Sequence, residues 1–502
     1  MQVRLTILLA VTLMSGIVLA QDNIGVRSDL SANDMARVRA VTAPTTDFSK
    51  PEKFENMQAG AATTKKVVDA NVYSHFQANL SFAQQADFGV GDALFRKLWI
   101  SAPSSTQASD GLGPLFNSRA CQSCHVKDGR GHAPGPDEVA ESMFLRLSVP
   151  PGEKDTRQSL DGVFAGEVGD PTYGTQLQNF AVGGLPAEGR MVIDYTEMTA
   201  TLGDGSVVSL RNPHYSVSDL GYGPMADTVM MSPRVAPPMI GLGLVEQIPA
   251  EDILAHADPA DSDGDGISGK ANYTIEPVSQ TVMLGRFGWK AGMATIRSQA
   301  AAAFAGDIGI ATPLVNKPFG DCTSNQPACL AMPTGEQKRL GLSEAPDPVL
   351  EMVTAYSQTL GVPERRKVDD PQVLRGKQGF YEIGCASCHV PKFVTSRDAD
   401  SAHKFQLIWP YSDFLLHDMG EGLADHRPEG LADGYEWRTP PLWGIGLNET
   451  VAGQAQFLHD GRARSLSEAI LWHGGEAQKA RDNFAKLSES TRDDLIAFLE
   501  SL

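Results

Sequence analysis

Four segments carry apolar residues at helical spacing: VGDALFRKLW (90–99), PDPVLEMVTAYSQTL (346–360), RGKQGFYEIG (375–384) and STRDDLIAFLESL (490–502). In the last, Leu495, Phe498, Leu499 and Leu502 form one stripe, with Ser490 and Asp493 as a capping-box-like start. The first and third place a glycine four residues before a phenylalanine, as Gly91/Phe95 and Gly376/Phe380. On a helix that spacing puts both on one face, where the glycine admits a second helix at close range. The pattern predicts two helix pairs, 90–99 with 346–360 and 375–384 with 490–502.

Elsewhere the pattern changes. Residues about 133–283 hold Gly/Pro-rich turns and short alternating runs such as DGSVVSLRNPHYSV, which predict a partly β insertion. The charged, proline-bounded segment GVPERRKVDDP (361–371) marks a boundary. The expected fold is mainly α with a partly β insertion. Its domains are 91–367, interrupted by the insertion, and 368–502, preceded by an extension, 21–90, without a chemical motif. At the start, Arg4 and the apolar run LTILLAVTLMSGIVLA close on Val18 and Ala20 before polar Gln21 and Asp22. That is the layout of a secretory signal over 1–20, cleaved after Ala20, with an uncleaved membrane anchor as the alternative. Nothing later resembles a membrane span. The expected location is a bacterial periplasm, where disulfides are permitted.

Composition narrows the function. With 502 residues, 42% hydrophobic and 21% charged, the chain reads as a globular protein of two or three domains. Its net charge of −19 excludes a nucleic-acid backbone as partner, because phosphate contacts need Lys and Arg. Four of the six cysteines fall in two C-x-x-C-H groups, CQSCH (121–125) and CASCH (385–389). In that motif two thiols form thioethers to one haem, and the adjacent histidine ligates the iron. Cys121, Cys124 and His125 are expected to hold one haem c, and Cys385, Cys388 and His389 a second. A shared zinc site is the alternative, though its usual linker is far shorter. Cys322 and Cys329, in a turn-rich loop, are expected to form a local disulfide. A weak repeat, WKAGMATIRSQ (289–299) and HDGRARSLSEA (459–469), aligns Ile296 with Leu466 and suggests two copies of one haem-binding unit.

The segments DGLGPLFNSRACQSCHVKDGRG (110–131), SPRVAPPMIGLGLVEQIP (232–249), GRFGWKAG (285–292), YSDFLLHDMG (411–420), EWRTPPLWGIG (436–446) and FLHDGRARSLSEAILWHGGEA (457–477) resemble the di-haem oxidoreductase family. Its members are often described as thiol oxidoreductases and are related to bacterial di-haem cytochrome c peroxidases and MauG-type proteins. The resemblance spans about residues 90–502. It implies two cytochrome c-like haem domains, one haem relaying electrons to another that binds substrate, with hydrogen peroxide as a candidate substrate and a small redox protein as electron partner. It further implies that Trp289 lies between the haems, that Gln299 belongs to the catalytic pattern, and that Asp307 stands where the peroxidases place a catalytic glutamate. Asp307 follows Gln299 by eight residues rather than ten. Core packing for Trp289 and helix capping for Asp307 remain open. Leu458 occupies a position where relatives carry Met or Tyr as iron ligand. Leucine cannot ligate, so Met419 is the expected distal ligand and His417 the runner-up, with His459 nearby.

Asp261, Asp263, Asp265 and Gly266, in DSDGDGISGKAN, match the first half of an acidic calcium loop whose twelfth position is Asn272. Three functions stay open: a peroxidase-like oxidoreductase, an electron carrier with two six-coordinate irons, and a thiol oxidoreductase acting on sulfur compounds.

Overall fold

The computed structural model describes residues 27–136, 138–152 and 157–502; the expected signal segment lies outside them. Both predicted helix pairs form. The first helix, Phe82–Phe95, starts well before the apolar run that pointed to it, because Ser81 and Gln84 close a reciprocal capping box. It packs against Asp347–Thr359, and Pro371–Glu382 packs against Glu489–Ser501. A Cβ on Gly91 would run into the Met352 carbonyl and Tyr356; one on Gly376 would run into the Asp494 carbonyl and Phe498. These contacts show why glycine stands at each crossing. The last helix is capped differently from the expectation. Ser488, in extended conformation, accepts from Thr491 N, whereas Ser490 already lies inside the helix.

The β content exceeds the expectation. Helix accounts for 27% and strand for 17%, so the fold is mixed rather than mainly α. The insertion carries a twelve-residue antiparallel hairpin, Arg190–Thr201 with Val207–Ser218, and a ladder joining Met143–Ser148 to Met230–Val235. Further pairs, Phe393–Val394 with Leu407–Ile408 and Leu416–Asp418 with Glu436–Arg438, follow the second C-x-x-C-H group. Every sheet among the described residues has two strands, too few to form a layer of its own, so each ribbon packs onto side chains from elsewhere. One buried cluster accordingly unites Met143, Leu145 and Leu210 of the insertion with Trp289, Phe380 and Phe498.

The N-terminal extension is a clamp. Glu52 and Glu55 each lie 2.9 Å from the buried ammonium of Lys377, and Glu55 also pairs with Arg365. The Tyr73 hydroxyl donates to the Gly444 carbonyl. The predicted disulfide joins Cys322 and Cys329. Among the described residues no helix is long and apolar enough to cross a membrane.

Candidate functional site

Each C-x-x-C-H group folds as a single turn, Cys121–Cys124 and Cys385–Ser387, that delivers its histidine into the interior. In both, the histidine N–H donates 3.0 Å to the carbonyl of the first cysteine. His125 Nδ1 donates 2.8 Å to the Pro237 carbonyl, and His389 Nδ1 donates 2.9 Å to the Tyr411 carbonyl. A carbonyl only accepts, so Nδ1 carries the proton and Nε2 keeps its lone pair. Burial lowers both imidazoles to about 4, which keeps them neutral and ready to ligate. Phe95 lies 6.1 Å from the His125 ring and Phe380 6.1 Å from the His389 ring.

None of these four cysteines is in a disulfide, and burial raises the Cys121 and Cys385 thiols to about 12. Without a bound group they are therefore uncharged thiols. Nor do the two motifs converge on one point: the compact ligand groups among the described residues are Cys388/Asp413/His417 and Asp261/Asp263/Asp265. That separation rules out a zinc site shared by the two motifs.

Both motifs open onto one mostly apolar cavity of ≈ 1080 Å³. A single small-molecule site takes about 300–1,000 Å³, so this space is at the limit for one ligand. Its wall offers buried cationic groups with unused hydrogen-bonding capacity, Arg130 Nε and Arg427 Nε. Thiols, free imidazole nitrogens, apolar walls and spare guanidinium donors suit a macrocycle bearing carboxylates. The residues present fit haem.

Trp289, Gln299, Asp307, His417 and Met419 all line the cavity. Trp289 is pinned by its indole N–H, which donates 2.8 Å to the Val235 carbonyl. Asp307 ends the helix Ile296–Asp307 and is half-buried at the cavity wall; Gln176 Nε2 donates 2.9 Å to its Oδ1. Burial, opposed by Arg146, raises its pKa, and its charge is felt by Cys121 and Cys124.

The weak repeat is real in three dimensions. Phe287 bridges Met293 and Phe457 bridges Ala463, while Gly288 and Leu458 between them take φ of 78° and 68°. Thr295 and Ser465 then cap the helices that start at Ile296 and Leu466. The register pairs Trp289 with His459. It also pairs Ala303 with His473, and both of these line the cavity.

His473 was not singled out from the sequence. Its Nδ1 donates 2.7 Å to the Ala469 carbonyl, which leaves Nε2 available, and its charge would depress the pKa of His389. His417, by contrast, has both ring nitrogens engaged, Nε2 with Asp413 at 2.8 Å and Nδ1 with Glu476 at 2.6 Å. Those carboxylates raise its pKa well above the usual value against the opposing pull of burial. An imidazolium without a free nitrogen is no iron ligand. Met419 is half-buried and lines the cavity. Trp437 also escaped the sequence reading. Its ring stacks on His459 at 3.7 Å and 12°. The signals for both were present, a histidine in LWHGGEA and a tryptophan in EWRTPPL, but single His and Trp residues carry no spacing to mark them.

On the surface, ligand atoms of Asp261, Asp263 and Asp265 come within 4.8 Å of one another. Each carboxylate also accepts a loop N–H, from Gly266, Asp265 and Ile267 respectively. Asn272 turns away into the core and donates to the Lys290 and Glu429 carbonyls, so it supplies no twelfth ligand.

No curated protein matches the chain. The sequence pattern of the family described as "di-haem oxidoreductase, putative peroxidase" matches residues 54–502. That match takes in both C-x-x-C-H groups, the cavity they share and the duplicated turns around it, and the chain belongs to the di-haem oxidoreductase family.

Proposed function

We propose that this protein is an exported di-haem c-type cytochrome that reduces hydrogen peroxide, with two cytochrome c-like haem domains meeting at the cavity. The observation that carries the reading is the asymmetry of the repeat. At matched positions the half next to His125 presents Ala303 and the half next to His389 presents His473. Alanine cannot ligate iron, so a haem held by Cys121, Cys124 and His125 would keep an open position, whereas His473, with Met419 as competitor, would offer a second ligand to a haem held by Cys385, Cys388 and His389.

Bound haem supplies the iron that coordinates peroxide and changes oxidation state. The chain supplies the rest. Asp307 Oδ2, free of hydrogen bonds among the described residues, takes the first peroxide proton and returns it to the leaving oxygen. Gln176 holds Oδ1, and Gln299 orients the substrate from the same helix. Trp289 carries electrons between the two halves. A small redox protein delivers them, and the periplasmic location agrees with the Cys322–Cys329 disulfide. Calcium on Asp261, Asp263 and Asp265 is supported by the closeness of their carboxylates alone.

The test is stopped-flow mixing of half-reduced protein with hydrogen peroxide. Oxidation of both haems, with one peroxide consumed per two electrons, supports the reading. Two haems that stay low-spin in every redox state and ignore peroxide would make the protein an electron carrier.

A further inference from the structure

The inserted β hairpin, Arg190–Thr201 with Val207–Ser218, reaches the turn that carries His459. Its second strand places Tyr215 against the HDGR turn, where the phenol O–H donates 2.9 Å to Asp460 Oδ2. Asp460 is fully buried, adjoins His459 in the chain, and has its Oδ2 3.8 Å from His459 Nε2. His459 stacks on Trp437 and meets Trp289 edge-on at 6.5 Å. Packed residues therefore lead without a break from the cavity wall to the hairpin: Trp289 and Trp437, His459, Asp460, Tyr215.

We infer that Tyr215 is a redox-active tyrosine, the resting place of an oxidising equivalent generated by peroxide in the cavity. This rests on the peroxidase reading. The argument turns on which ring can lose an electron. The Arg130 guanidinium lies 5.3 Å from the Trp289 ring, and Lys290 and Arg234 lie 4.6 and 5.8 Å from that of Trp437. A cation over an aromatic face stabilises the electrons of the neutral ring and opposes their loss. Arg211 does the same to Tyr195, at 4.5 Å. Among the described residues no cation lies over the Tyr215 ring. A phenol must also shed its proton as it is oxidised, and Tyr215 alone of these four rings hydrogen-bonds a carboxylate. Arg462, whose Nε donates 2.7 Å to the same Oδ2, holds Asp460 ionised and able to accept.

The step balances. Peroxide breaks its O–O bond and leaves as two waters after taking two electrons and two protons from solvent. One electron comes from Tyr215 by way of His459 and the indoles, and the phenolic proton moves to Asp460 Oδ2. The other electron comes from the iron centres. The phenoxyl radical is left on the hairpin, where an external electron donor repairs it.

The experiment is freeze-quench electron paramagnetic resonance of the di-haem protein, fully oxidised and mixed with hydrogen peroxide. An organic radical is expected, narrowed when the protein is made with ring-deuterated tyrosine. Tyr215→Phe should lose it with haem content and resting ferric spectrum unchanged, while Tyr195→Phe keeps it. Should Tyr215→Phe misfold, narrowing in the deuterated wild type still shows that the radical is a tyrosine's, and its loss in Tyr195→Phe would overturn the assignment to Tyr215. If peroxide changes the haem spectrum but no radical forms, or the radical persists in Tyr215→Phe or ignores tyrosine deuteration, the tyrosine assignment is wrong and the peroxidase reading stands. If peroxide leaves the haem spectrum untouched, both fall together.

Discussion

Trp289 and His459 occupy the same place in two copies of one turn, and their rings meet across the cavity wall, centroids 6.5 Å apart at 74°. Each copy thus contributes one ring to the contact between the two copies. Burial lowers His459 to about 3, so the imidazole between the indoles is neutral and adds no charge to the path.

Replacing Trp289 by phenylalanine keeps an aromatic ring but loses the indole N–H bond to Val235. Both haems should be retained and electron transfer between them slowed. Stopped-flow oxidation of the half-reduced variant should show a delayed second phase. A second phase at the wild-type rate would place the route elsewhere.

His473→Ala should convert the second haem from low-spin to high-spin without loss of haem, because the proximal His389 and both thiols are untouched. Absorption and magnetic circular dichroism spectra read the change. If the variant stays low-spin and Met419→Ala becomes high-spin instead, Met419 is the ligand.

Asp307→Asn should lose about 10²–10⁴-fold in turnover with peroxide, the usual worth of a positioned acid–base group, while ligands still bind at the open iron. It should also alter stability in a pH-dependent way. The folded pKa of Asp307 is raised, so its neutral form favours the native state at low pH, and that contribution is lost as pH rises through the folded pKa. Asparagine does not ionise. The melting temperature of the variant should therefore gain on wild type as pH rises across that window, then run parallel.

Attachment through thioethers predicts that haem stays on the polypeptide in denaturing electrophoresis. Cys385→Ala with Cys388→Ala should halve the haem content. Two haems in that variant would exclude covalent attachment at the second motif.

If calcium occupies the acidic loop, chelation should lower the melting temperature by mass action, and Asp263→Ala should remove the chelator's effect. Equal shifts in both proteins would leave the loop as a turn held by its own backbone hydrogen bonds.

The sequence alone determined what depends on neighbours along the chain. Two C-x-x-C-H groups pointed to haem because both thiols and the histidine lie within one turn. Gly91/Phe95 and Gly376/Phe380 marked the helix crossings because four-residue spacing defines a helical face. The short Cys322–Cys329 separation likewise made their disulfide predictable. The tertiary structure decided what depends on distant segments. His417 lost its candidacy to Asp413 and Glu476, the latter 59 residues away. The offset that aligns Ile296 with Leu466 also pairs Ala303 with His473, but only the tertiary structure brought both to one cavity wall. Trp437 stacks on His459 because two separate strands and turns converge, a contact with no periodicity in sequence. The β share rose above expectation because two-residue and three-residue strands are too short to show alternation, and they exist only where a partner strand supplies the hydrogen bonds.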